Sequence, residues 1–89
     1  MKSRTTDKFW KGYEELPAEI RKQAREAYHL FLQDPLHPGL HFKRVHPTEP
    51  VFSARISRNY RSVGIVQGDE IIWFWIGTHD SYMRLIGGL

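Results

Sequence analysis

The 89-residue sequence predicts an α+β domain, in which an N-terminal helical hairpin packs on an antiparallel sheet of three to four strands. Helical periodicity is confined to residues 7–33, whereas residues 42–76 form short β-rich runs separated by tight turns. Helices followed by sequential strands indicate this class, with the helices on one sheet face and the other face partly free. The length fits a single domain spanning residues 1–89.

Two helices are predicted in the N-terminal part of the chain. Residues 2–6 can form a short polar edge strand, and a short helix follows it. Pro17 fits the first turn of a second helix, whose apolar residues recur with the helical period from Ile20 onwards. This helix ends at residues 34–35, because a residue that precedes proline is disfavoured in the helical conformation.

The rest of the chain predicts an antiparallel meander. The first strand is expected at Phe42–His46 and the second at Val51–Ser57. The third begins at Tyr60, and the fourth ends at Ile76. Gly68 and Asp69 form a two-residue turn between the last two strands, which is a strong hairpin signal. The same alternation places Trp73 and Trp75 on one face, where packing is their simplest role.

The hairpin register brings two functional side chains together. With a two-residue loop, Val63 faces Phe74 and Arg61 faces Ile76. Arg61 then lies near His79, which follows the end of the last strand. We therefore expect a cation and a titratable imidazole at one end of the sheet.

The net charge of +3 is concentrated in one segment of the chain. Residues 41–61 contain a single acidic residue and five basic ones, Lys43, Arg44, Arg55, Arg58 and Arg61. Such a basic zone is the footprint expected for a phosphate-bearing partner or an acidic protein, and a solvated strand face is the alternative.

Composition excludes several classes of protein. The chain has no cysteine, which rules out disulfides and thiolate metal sites. His37, His41 and His46 lack carboxylate companions, so no metal site is expected. No apolar stretch is long enough to span a membrane, and the first residues carry no hydrophobic signal region, so a cytoplasmic protein is predicted.

Ser53, Arg55 and Arg61 are predicted to line the free sheet face, and His79 closes one end of it. Arginine forks match phosphate oxygens and can stabilise the extra charge of a pentacoordinate transition state. Histidine titrates near neutrality and can act as a general base or acid, with Tyr82 as a further donor. The alternative for His79 is a helix cap or a surface residue.

Four short motifs follow one another in the second half of the chain. They are Phe42-Lys43-Arg44-Val45, Val51-Phe52-Ser53-Ala54-Arg55-Ile56, Tyr60-Arg61-Ser62-Val63 and Trp75-Ile76-Gly77-Thr78-His79-Asp80-Ser81-Tyr82. In this order they resemble the RelE/ParE superfamily of type II toxins, and the likeness covers nearly the full chain. It implies a twisted antiparallel sheet against two helices, with a concave open face. Some relatives carry a lysine pair or a carboxylate near residues 53–55, and this chain does not.

The resemblance implies a toxin that cleaves mRNA, often in the ribosomal A site, without metal or cofactor. In such enzymes the 2′-hydroxyl attacks the adjacent phosphate and leaves a cyclic phosphate on the upstream fragment. Arg61 matches the residue that holds the scissile phosphate, and His79 matches the position of a proton-transfer group. Tyr82 and Arg55 match further aromatic and basic positions. The expected contacts to the RNA are Lys43, Arg44 and Arg58.

The resemblance also implies a protein partner, an antitoxin that wraps the toxin, covers its basic residues and blocks the site. The implied targets are mRNA and the ribosome, and operator DNA is contacted mainly through the antitoxin. Two alternatives stay open, namely inhibition of DNA gyrase, as in the other branch of the superfamily, and a non-catalytic binding module of the same fold. The combination of Arg61 and His79 favours the ribonuclease.

Overall fold

A computed structural model describes all 89 residues and confirms the α+β class. In chain order the elements are β1 (Lys2–Thr5), α1 (Asp7–Glu14), α2 (Ala18–Gln33), β2 (Lys43–Arg44), β3 (Val51–Ser57), β4 (Tyr60–Gln67), β5 (Glu70–Thr78) and α3 (His79–Gly87). A short 3-10 helix, Pro38–Leu40, precedes β2. None of the helices has the length and apolar character that crossing a bilayer requires.

The strands form one five-stranded sheet in the order β1-β5-β4-β3-β2. Strands β2 to β5 pair antiparallel, as the meander predicts. The N-terminal edge strand is also present, but β1 pairs with β5 in parallel, with Lys2 opposite Glu70 and Thr5 opposite Trp73. The sheet is therefore mixed, and it has one strand more than the three to four predicted.

Both predicted helices are present, with boundaries set by their flanking residues. Thr6 caps α1, because its Oγ1 accepts a hydrogen bond from the Phe9 N–H at 3.2 Å. Helix α2 ends before Asp34, as the sequence predicts, and begins directly after Pro17, which takes the N-cap position and not the predicted first turn. The two helices therefore form the predicted N-terminal hairpin, on one face of the sheet.

The main hydrophobic core lies between this hairpin and the sheet. Its buried members are Phe9, Leu16, Ala24, Phe31, Leu40, Ala54, Ile71, Trp73 and Ile76. Phe31 meets the rings of Phe42 and Trp73 edge-on, at centroid distances of 5.2 and 5.3 Å. These contacts fix α2 against the centre of the sheet.

A third helix, α3, was not predicted, and it covers part of the sheet face that was expected to be free. Thr78 caps it, because its Oγ1 accepts a hydrogen bond from the Ser81 N–H at 3.2 Å. Tyr82 packs from this helix into a small cluster with Val51 and Val63. The open face is consequently smaller than the sequence predicts.

A β-bulge changes the predicted register of the β4–β5 hairpin. Pairing shifts between Val63 and Gly64, so that Val63 lies opposite Trp75 and Arg61 lies opposite Gly77. The predicted partners, Phe74 for Val63 and Ile76 for Arg61, are wrong by one residue. The extra residue on β5 also reverses which face each later side chain takes.

The bulge therefore separates the two tryptophans of β5, contrary to the prediction that they share a face. Trp73 belongs to the main core and is 3% exposed. Trp75 packs with the cluster around Tyr82 on the other face of the sheet. Both side chains serve packing, but they stabilise different layers of the domain.

Candidate functional site

The candidate site lies where the ends of β3, β4 and β5 meet the start of α3. Arg55 on β3 is directly opposite Arg61 on β4, and Arg61 is in turn opposite Gly77 on β5. The His79 N–H donates a hydrogen bond of 2.7 Å to the carbonyl of Asn59, in the β3–β4 turn. The fold thus brings the arginines and the histidine to one end of the sheet.

Both arginines emerge on the face that α3 partly covers. Ser53 and Val63 form the preceding opposed pair, and Val63 belongs to the cluster around Tyr82. Because side chains two residues apart on a strand share a face, Arg55 and Arg61 lie beside this cluster. Both are half-buried, so their charges are partly shielded from water.

The Arg61 guanidinium is anchored on the turn that precedes its own strand. Its Nη1 donates to the carbonyl oxygens of Ser57 at 2.6 Å, Tyr60 at 2.9 Å and Arg58 at 3.3 Å. The Nε and Nη2 atoms make no hydrogen bond within the protein, which leaves these donors for an anion. Arg61 therefore holds the turn and presents a partly free fork.

Electrostatics at this pair favour an anionic ligand. Burial lowers the pKa of Arg61, the positive charge of Arg55 lowers it further, and the nearby Tyr82 works in the opposite direction. A phosphate stabilises two half-buried guanidinium groups that repel each other more than it stabilises one exposed arginine. The pair is therefore the place in the chain where an anion would relieve the most repulsion.

Tyr82 is buried, and its hydroxyl is not free to face solvent. Tyr82 is 4% exposed and Ser53 is 2% exposed, and the tyrosine hydroxyl donates a hydrogen bond of 3.0 Å to the serine Oγ. The expectation that Ser53 lines an open face is therefore wrong, because Tyr82 covers it. The bond holds α3 on the sheet, a link that the sequence offered no means of finding.

His79 occupies the first position of α3, at the border of the site. Its ring centroid lies 5.8 Å from that of Tyr82, with 47° between the ring planes, and the residue is half-buried. The imidazole is thus held by a helix whose position depends on the Tyr82–Ser53 bond. The side chain therefore lies at the same end of the sheet as the arginine pair.

The three predicted RNA-contact residues occupy different places. Lys43 is opposite Ser53 and so shares the arginine face, and Arg58 lies in the turn whose carbonyl accepts from Arg61. Arg44 is opposite Phe52, on the face of the helical hairpin, and its Nε donates to the Glu49 carbonyl at 3.1 Å. Lys43 and Arg58 extend the basic surface, whereas Arg44 points away from it. No group of three or more metal-ligating side chains exists in the chain.

Comparison with known proteins supports the fold and the family. The profile of the ParE-like toxin domain matches residues 18–84. A search of curated sequences gives no match. A chain of the RelB–RelE antitoxin–toxin complex from Methanococcus jannaschii superposes with a TM-score of 0.75 at 22% identity, over 92% of this chain and 96% of that one.

Two further solved structures share the architecture. The YoeB/ParE toxin from Agrobacterium tumefaciens has a TM-score of 0.70 at 19% identity, with 89% of this chain and 99% of that chain covered. A chain of the RelBE2 toxin–antitoxin complex from Mycobacterium tuberculosis has a TM-score of 0.70 at 20% identity, with 88% and 96% covered. These likenesses confirm the fold that the sequence predicts.

Proposed function

The chain belongs to the ParE-like toxin family, within the RelE/ParE superfamily of type II toxins, and on this premise we propose that it is a metal-independent endoribonuclease. Its substrate is mRNA, cleaved on the ribosome, so that translation stops. The observation that carries the proposal is the opposed pair Arg55 and Arg61 at the end of the sheet where the His79 N–H bonds to the Asn59 carbonyl. A cytoplasmic location follows from this substrate.

In the proposed reaction, the ribose 2′-oxygen attacks the adjacent phosphorus, and the bond from phosphorus to the 5′-oxygen breaks. His79 accepts the proton of the 2′-hydroxyl, and the departing 5′-oxygen takes a proton from solvent. Arg61 and Arg55 stabilise the charge on the pentacoordinate phosphorus. The upstream fragment keeps a 2′,3′-cyclic phosphate.

The remaining residues position this chemistry and the RNA. Tyr82 acts as a positioning residue, since its hydroxyl is bonded to Ser53 and its helix carries His79. Lys43 and Arg58 contact flanking phosphates, because they lie on or beside the arginine face. Arg44, at the edge of the sheet, contributes only long-range attraction.

We also propose an antitoxin protein as the partner of this chain. Similar folds occur in the antitoxin–toxin complex from Methanococcus jannaschii and the toxin–antitoxin complex from Mycobacterium tuberculosis. An acidic segment of such a partner would cover the arginine pair and exclude RNA. Operator DNA would be bound through the antitoxin.

Inhibition of DNA gyrase is the second candidate, because the matching family profile is that of a ParE-like toxin. The two activities predict different damage in the cell. The nuclease cuts transcripts and leaves DNA intact, whereas a gyrase poison leaves transcripts intact and accumulates gyrase-linked DNA breaks. A binding module without catalysis predicts neither.

Induction of the chain in bacteria, followed by mapping of transcript ends and DNA breaks, tests the proposal. We expect new transcript ends in phase with codons, which disappear in His79→Gln and Arg61→Gln. The matched control is His37→Asn, in an exposed loop, because asparagine can replace the Nδ1 acceptor that caps the 3-10 helix. Gyrase-linked breaks with intact mRNA would contradict the proposal, and absence of any growth effect would favour the binding module.

A further inference from the structure

A cavity of about 330 Å³ lies between the helical hairpin and the sheet, on the face opposite the arginine pair. It is lined by 18 residues, 12 of them hydrophobic, from β1, α1, α2 and the sheet. Phe9, Trp10, Tyr28 and Trp73 contribute aromatic walls. Pockets that bind small molecules have volumes of roughly 300–1,000 Å³ and a similar apolar lining.

Small side chains face each other between the helical hairpin and the sheet, and they leave the space of the cavity. Ala24 and Ala27 of α2 and Ala54 of β3 all line it. The cavity is open to solvent beside Trp10, which is 47% exposed. An occupant would therefore remove apolar surface of the lining from water.

One hydroxyl that lines the cavity lacks a partner. Ser62 is 5% exposed, lines the cavity from β4 and makes no hydrogen bond within the protein through its side chain. By contrast, the Ser3 Oγ accepts bonds from the Tyr28 hydroxyl at 3.1 Å and the Trp73 Nε1 at 3.0 Å. Gln23 Oε1 is the one fully buried side-chain oxygen or nitrogen without a hydrogen-bond partner, so the Ser62 hydroxyl is reached from the cavity and can bond a polar group on an occupant.

The lining residues that can carry charge are all basic. Arg4, Arg25 and His29 belong to the lining and are exposed, and no acidic residue belongs to it. Arg4 pairs with Glu70 outside the cavity at 3.5 Å, so Arg25 is the arginine of the rim without an acidic partner. Arg25 Nη1 donates to the Tyr13 hydroxyl at 2.7 Å, which fixes its guanidinium beside the cavity. The outer rim therefore favours an anion, while the walls favour an apolar body.

We propose that this cavity binds a small aromatic carboxylate with a hydrogen-bonding group at the end of its ring. The ring lies among the aromatic and alanine side chains, the carboxylate meets Arg25, and the ring substituent bonds to the Ser62 hydroxyl. The site is independent of the proposed nuclease activity. It lies behind the arginine pair, because Ala54 and Ser62 are the chain neighbours of Arg55 and Arg61.

The proposal is tested by titrating the full chain with 3-(4-hydroxyphenyl)propionate. Calorimetry measures the binding, and NMR of the methyl groups locates it. We expect saturable binding at one site, with shifts at Ala54 and Ile76, and about tenfold weaker binding of 3-phenylpropionate, which lacks the hydroxyl. Ser62→Ala should bring both acids to the same affinity. Tyramine, which replaces the carboxylate by a cation, should not bind.

Ala27→Leu should fill the cavity and abolish binding of both acids, whereas Ala18→Leu, at the exposed start of α2, should leave it unchanged. If Ala27→Leu does not fold, the comparison of the two acids on Ser62→Ala still decides the matter. No saturable binding, equal binding of tyramine, or methyl shifts at Val51 and Val63 on the opposite face would each overturn the proposal.

Discussion

Arg55 and Arg61 lie directly opposite each other on β3 and β4, and both side chains are half-buried. Like charges opposite each other in a sheet are destabilising. Burial and the neighbouring Arg55 lower the pKa of Arg61, which shows that the fold disfavours its charge. Binding of a phosphate, as proposed, would offset this cost.

Arg55→Gln and Arg61→Gln should change stability in opposite directions. Arg55→Gln removes the repulsion and should stabilise the fold by about 0.5 kcal/mol. Arg61→Gln also removes the three Nη1 bonds to carbonyl oxygens of the turn, and should cost about 1–2 kcal/mol. Urea unfolding measures both, and equal destabilisation by the two variants would contradict this account.

Sulfate should stabilise the native chain more than it stabilises either arginine variant. At ten times its dissociation constant, a ligand that binds only the folded state adds about 1.4 kcal/mol. Thermal unfolding in sodium sulfate and in sodium chloride of equal ionic strength measures the effect. Lys22→Gln, which removes an exposed charge from α2, should keep the full sulfate shift. An identical shift in Arg55→Gln would argue against a site at the pair.

The bond between Tyr82 and Ser53 should show strong coupling in a double-mutant cycle. Tyr82→Phe and Ser53→Ala each leave one buried hydroxyl without a partner, and each should cost about 1–2 kcal/mol. The double variant should cost clearly less than the sum, because neither hydroxyl remains unpaired. Additive effects in urea unfolding would mean that the bond does not hold α3 on the sheet.

Gly64→Ala should strongly destabilise the hairpin. An added Cβ would lie 2.9 Å from Ile71 Cγ1 and 3.0 Å from the Ile72 carbonyl oxygen, where the backbone of β5 cannot easily retreat. We expect a loss of about 2–3 kcal/mol. Gly87→Ala is the matched control, since nothing lies within 4 Å of its added Cβ, and it should be neutral or slightly stabilising. Equal stability of the two variants would show that the bulge tolerates a side chain.

The sequence predicts those parts of the fold that depend on local pattern. Helix α2 follows from its apolar period and from the residue before Pro35, and the β4–β5 hairpin follows from Gly68–Asp69. The same hairpin places Arg61 near the start of α3, which is why the sequence alone pairs the arginine with the histidine. Local signals are sufficient where neighbours in sequence are also neighbours in space.

The features that escaped prediction depend on tertiary contacts. The bulge lies beside Gly64, and a glycine inside a strand can mark either a bulge or a close approach of another backbone, so the residue type alone does not fix the register. Helix α3 is nine residues long, and its packing onto the sheet rests on Tyr82. The buried partner of the Tyr82 hydroxyl lies 29 residues away in sequence, so its role as a positioning residue could only follow from the structure.

The proposed cleavage of RNA by His79 and the arginine pair is tested most directly by the rate at which the purified chain cleaves a defined mRNA on ribosomes. We expect fragments that end in a 2′,3′-cyclic phosphate, with a rate about 10²–10⁴-fold lower in His79→Gln and unchanged in His37→Asn, while circular dichroism shows both variants folded. Intact mRNA with the unaltered chain, or equal cleavage by His79→Gln, would contradict the claim.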